Sequence, residues 1–121
     1  MIKASFDEGF IFDCLSILEV KVNKASGENH LKILLSYKAM KEEILSQVGE
    51  ALFSLILSSK QYKDLYNINE HVFNLVNLAK DDKVKASEVD KANYDRYLIK
   101  TALNKKFFNK TNTEIKIGYS T

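Results

Sequence analysis

Asn93, Arg96, Lys100 and Asn104 recur at spacings of three, four and four residues. At helical pitch that sets all four on one stripe. Arg96 is the single arginine of the chain, against seventeen lysines. Its planar fork of donors fits a carboxylate or an anion in a way that a lysine ammonium does not. A second polar set, Asp13, Ser16 and Glu19, interrupts the apolar face of the N-terminal segment at spacings of three. The two sets can meet as an interhelical polar cluster in which Arg96 pairs with Asp13 or Glu19. Such a cluster could bind an anion or do acid–base chemistry. It could equally be a structural network that fixes helix register, because an unpaired buried charge costs several kcal/mol. The structural role is the primary expectation.

Other chemistry is thinly supported. His30 and His71 have no further His, Cys or paired carboxylate at ligand spacing, so no metal site is expected. Glu42 and Glu43 are adjacent and point in different directions on a helix, which suits a solvated face better than an acid–base pair. No glycine-rich phosphate loop, nucleophile elbow or calcium loop is present, and no cofactor is expected. Tyr94, Tyr97, Phe107 and Phe108 stand among Lys100, Lys105, Lys106 and Lys110, a mixture that could stack bases and hold phosphates. Their helical spacing favours core packing instead. The lone Cys14 excludes an internal disulfide and any multi-cysteine metal site, and is expected to be a buried, inert thiol.

These residues must be positioned by helices. The chain has 121 residues, which suits one domain, with 45% apolar and 28% charged residues, four Gly and no Pro. Proline breaks helix interiors and glycine weakens them, so their scarcity favours long helices. The pattern predicts an all-α single-domain bundle of five helices, mostly antiparallel, spanning residues 1–121, with a short extended C-terminal tail. The first helix is expected to start at Ser5, with Glu8 completing a capping box, and to stop at Gly27. The second should run from Asn29 to Val48 with Leu31, Leu34, Leu35, Ile44, Leu45 and Val48 inward, before a break at Gly49. A third, Glu50–Leu57, is apolar nearly all round and should sit deep. Ser58 and Gln61 form the capping box of a fourth helix to Lys80, with Tyr62, Leu65, Tyr66, Asn69, Val72, Phe73, Val76 and Ala79 as its stripe. A charged loop at Lys80–Lys85 precedes a fifth helix from Ser87 to Phe108. Beyond it, Ile115, Ile117 and Tyr119 alternate with polar neighbours, as in an extended segment packed against the bundle.

The helix Gly9-Phe-Ile-Phe-Asp13-Cys-Leu-Ser16-Ile-Leu-Glu19-Val-Lys21, the stripe Asn93, Arg96, Lys100 and Asn104, and the tail Glu114, Lys116 and Tyr119 together resemble a family of small uncharacterised helical proteins of bacteria and phages. Leu65, Asn69, Val72 and Phe73 fit the looser middle of its pattern. The chain departs from the pattern at Phe10 and Cys14, where the family prefers Glu and Lys. It also lacks an acidic pair near Val76 and Asn77 and has one extra tail residue. The resemblance implies a helical fold and the same candidate residues, and implies no activity.

Formal charge is +2, and residues 80–121 hold ten Lys/Arg against six Asp/Glu. That excess is well short of the basic patch of a nucleic-acid binder. No run of residues approaches the length of a membrane span, and no signal-like segment opens the chain, so the reducing cytosol is the expected compartment. The functional expectation is a non-enzymatic interaction or accessory protein with a homo-oligomeric or other protein partner, pairing through Ala51–Leu57. The alternative is a small ligand- or anion-binding protein or enzyme built on the Arg96 cluster.

Overall fold

The computed structural model describes residues 6–108, the Ala79 side chain excepted. Five helices follow one another: α1 (Glu8–Lys24), α2 (Gly27–Val48), α3 (Glu50–Leu57), α4 (Lys60–Ala79) and α5 (Ala86–Phe108). No strand occurs among the described residues, and no helix among them is long and apolar enough to cross a membrane. Ser5 and the tail residues Glu114, Lys116 and Tyr119 lie outside the described residues.

The helix ends depart from the sequence reading by a few residues, for identifiable reasons. Asp7, not Ser5, caps α1: its backbone is extended and its carboxylate accepts the Phe10 N–H at 3.2 Å. At α4 the cap is Ser59 rather than Ser58; Ser59 takes the extended conformation and accepts from Tyr62 N–H at 3.1 Å. Ser58 instead ends the α3 turn, donating its hydroxyl to the Ser54 and Leu55 carbonyls. Gly27 does not stop α1; the chain turns at Ala25 and Ser26, and Gly27 opens α2 with φ +65°. Gly49 does break the chain, at φ +89° and ψ 155°, a conformation that side chains strongly disfavour.

The core is built around α1, which packs on α2, α4 and α5. Phe12, Leu15, Ile44, Phe53, Ile56, Tyr62, Leu65 and Leu103 form it, with Phe12 ringed by Phe53 and Phe108 at 6.2 Å each. α4 and α5 pack along one another after the short loop 80–85. Along α4, Leu75 is buried whereas Val76 is exposed, so the stripe rotates by one residue at its far end. Tyr94 is exposed too, contrary to the core role its spacing suggested.

Two apolar expectations fail. Leu31 and Leu35 of α2 are 59% and 60% exposed. Tyr37, Ile44 and Val48 set the inward face of α2, and Leu31 and Leu35 lie more than a quarter turn from it. Among the described residues α2 packs mainly on α1 and α3, and no other helix covers its outer face. α3 is not deep on all sides either. Phe53 and Ile56 are buried, but Ala51, Ser54 and Leu55 face outward, because an eight-residue helix flanked by α2 and α4 can cover only one face.

Candidate functional site

The polar residues of α1 occupy a line on its buried side and meet partners on α4 and α5. Asp13 has no exposure at all. Arg96 reaches it from α5: Nε donates to both carboxylate oxygens at 3.0 Å, and Nη2 donates to Oδ2 at 2.5 Å. Asn69 of α4 closes the third side, its Nδ2 donating to Asp13 Oδ1 at 2.9 Å and to Ser16 Oγ at 2.6 Å. Ser16 in turn donates to the Asp13 carbonyl at 2.8 Å. Three helices therefore meet on one buried carboxylate. A buried charge held this way is compensated by an opposite charge and an amide donor, and removing any one of them exposes the desolvation cost.

Toward the start of α1 the partner is α5 again. Asp7 Oδ2 accepts Asn104 Nδ2 at 2.7 Å while it also caps the helix. Gly9 makes that approach feasible: a Cβ there would lie 2.6 Å from Asn104 Nδ2 and 2.8 Å from its Cγ. The pairs Asp7–Asn104 and Asp13–Arg96 run in opposite directions along the two helices, so α1 and α5 are antiparallel.

Past Ser16 the partner becomes α4. Glu19 does not meet Arg96; it accepts the Tyr62 hydroxyl at 2.9 Å. Burial first, then the Glu19 charge, pushes the Tyr62 phenol far above its ordinary value. The same two causes raise Tyr37. Asn23 donates to Tyr66 at 2.7 Å, and Lys24 pairs with Glu70 at 3.3 Å in a half-exposed ion pair.

The predicted stripe on α5 is thus divided. Arg96 and Asn104 join the seam. Lys100 is half-buried and lies over the Phe10 ring, 6.0 Å from its centroid. Asn93 is exposed and outside the site, and Ala92 is the buried residue at that turn. Asn69, Tyr62, Asp7 and Gly9 belong to the seam although the sequence reading did not assign them to it. Asn69 carried one signal: it is the only amide in the otherwise apolar and aromatic stripe of α4.

Cys14 flanks the seam. Its thiol is raised by burial and by Asp13, against the lowering effect of Arg96 and Lys100. A raised thiol is a poor nucleophile. Among the described residues no three His, Cys, Asp or Glu side chains group as metal ligands would. Asp13 and Arg96 line neither the depression between α1 and α2 nor the one beside Glu19 and Tyr62. The arrangement can hold three helices in register; it does not present the Asp13 carboxylate to a substrate. No protein-family profile, curated protein or solved structure matches this chain.

Proposed function

We propose that this chain is a helical interaction protein that associates with a second copy of itself through the outer face of α2, the polar seam serving as its internal scaffold. One observation carries the reading: Leu31 and Leu35, one turn apart, stand 59% and 60% exposed on a face that no other helix among the described residues covers. Exposed apolar residues grouped on one helix are what a partner helix covers.

The surrounding charges favour a copy of the same chain. An antiparallel α2 pair with its two-fold axis at residue 33 sets Leu31 of one copy against Leu35 of the other. The same register sets Glu28 against Lys38, both of them exposed. A two-fold interface repeats each contact, so both the leucine and the charge pairs occur twice. The alternative, an anion site or enzyme built on Arg96, is disfavoured by the Asp13 carboxylate that already takes up its Nε and Nη2 donors.

Sedimentation equilibrium tests this. The parent chain is expected to dimerise, and Leu31→Asp/Leu35→Asp to be a folded monomer. Glu28→Lys should weaken association, and Glu28→Lys/Lys38→Glu should restore it. A parent chain that stays monomeric at high micromolar concentration refutes the reading.

A further inference from the structure

A depression of about 460 Å³ opens where α1, the end of α3 and the first half of α4 meet, lined by Glu19, Leu57, Tyr62, Lys63, Tyr66 and Asn67. Glu19 accepts the Tyr62 hydroxyl at 2.9 Å, and Tyr37 of α2 brings a second phenol to the same carboxylate. We propose that this depression binds an organic cation, an ammonium group on an alkyl stem, with Glu19 as its counter-charge and Leu57 and the tyrosine rings as the surface for the stem.

Three observations favour that ligand. The first is charge. Asp13 is matched by Arg96, whereas none of the ion pairs among the described residues involves Glu19. Glu19 is half-buried, and a carboxylate in that position without a counter-ion attracts a cation that reaches it. Two phenols leave acceptor sites on its oxygens, and neutral donors do not cancel its charge. Burial, then the Glu19 charge, holds both phenols above their ordinary value, so they stay protonated and add no competing anion. The second is the lining. Tyr62 and Tyr66 stand one turn apart on α4, and Leu57 is the last residue of α3, so aromatic and aliphatic carbon flanks the charged group. Rings beside a carboxylate suit an ammonium and its alkyl stem together. Asn23 fixes Tyr66 by donating to its hydroxyl oxygen at 2.7 Å. The third is size: the volume lies in the range of small-molecule sites and admits an alkylammonium ion. Lys63 opposes a cation, but it is exposed and its charge is screened by solvent. Leu31 and Leu35 do not line this depression, so this inference and the association through α2 stand or fall separately.

An NMR titration of the full chain with n-butylammonium chloride, at constant ionic strength, tests the site. Saturable shifts of the Leu57 methyl and Tyr66 ring signals are expected, and n-butanol, its neutral isostere, should produce none. Glu19→Gln keeps an acceptor for the phenols and should weaken binding at least about tenfold, the loss of one charge-assisted hydrogen bond. Lys63→Gln removes the opposing charge and should tighten binding about twofold. A lysine side chain carries the same group as a free amine, so Nα-acetyl-lysine methylamide is titrated in parallel. Tighter binding than n-butylammonium assigns the site to a lysine of another protein, and weaker binding to a free amine. The absence of a saturable shift up to about 100 mM n-butylammonium overturns the proposal, as does an equal response to n-butanol. Unchanged affinity in Glu19→Gln overturns it too. Should that variant lose its helical circular dichroism, Tyr66→Leu decides instead: it leaves Glu19 and Tyr62 in place and should weaken binding about threefold, and unchanged affinity there overturns the site.

Discussion

The two long sides of α1 meet opposite fates. On one side, with α4 and α5, six polar residues of α1 and its cap are each matched to a named partner, down to a carboxylate with no exposure. On the other side, α2 covers α1 with its inner face and leaves leucines in solvent on its outer one. Both sides come from helices of similar length and apolar content. The difference lies in how many neighbours each helix has. α4 and α5 each contact α1 and one another, so polar groups trapped among them must pair. Among the described residues α2 packs mainly on α1 and α3, and its outer face meets no other helix. The first region is fixed by its internal pairs, and the second is under no such demand.

That contrast can be broken most severely at Asp13. Arg96→Met leaves the carboxylate buried without its counter-charge and should cost about 3–5 kcal/mol in urea denaturation. Asp13→Asn/Arg96→Met removes the charge as well and should recover part of that loss. A single variant as stable as the parent would mean that the seam does not hold the bundle.

High pH probes the α4 end of the seam. The folded chain keeps the Tyr62 proton well above the ordinary phenol value near 10, whereas the unfolded chain loses it there. Stability is therefore full below about pH 10 and should fall above it by about 1.4 kcal/mol per pH unit for this group. Tyr62→Phe should flatten the slope by that amount, measured as ΔG of unfolding from pH 9 to 11.5. An unchanged slope would contradict the assignment.

A smaller effect, with a diagnostic sign, is expected at Gly9. Replacing a helical glycine by alanine ordinarily stabilises by roughly 0.5–1 kcal/mol. Here the added methyl meets Asn104 at 2.6 Å and must disturb its bond to Asp7. Gly9→Ala should therefore destabilise by about 1 kcal/mol, and Gly9→Ala/Asn104→Ser should relieve part of it. The smallest change belongs to the other side: Leu35→Ser should alter stability by less than about 0.5 kcal/mol, measured by urea denaturation of the dilute chain.

Much of the fold was legible because helix signals are local. Gly49, the serine caps and the charged 80–85 stretch punctuate the chain, and the five segments between them are the five helices. The caps moved by one or two residues because neighbouring candidates, Ser58 and Ser59 for instance, differ only in which adopts the extended conformation. That Arg96 takes a carboxylate of α1 was also legible, though the choice between Asp13 and Glu19 was not. Asn69 was visible only as a stripe residue, since its partners Asp13 and Ser16 are 56 and 53 positions away.

The amino-acid sequence by itself determined where the helices lie, which face of α1 and of α5 carries polar groups, and that a lone arginine needs an acidic partner. These follow from capping, the 3.6-residue period and charge, all of which act within a few turns. The tertiary structure alone decided which partner each group takes: Glu19 goes to Tyr62 rather than Arg96, Asn93 is left in solvent, and Leu31 and Leu35 stay uncovered. A helical period defines a face, but whether another helix lies against it depends on how all five cross.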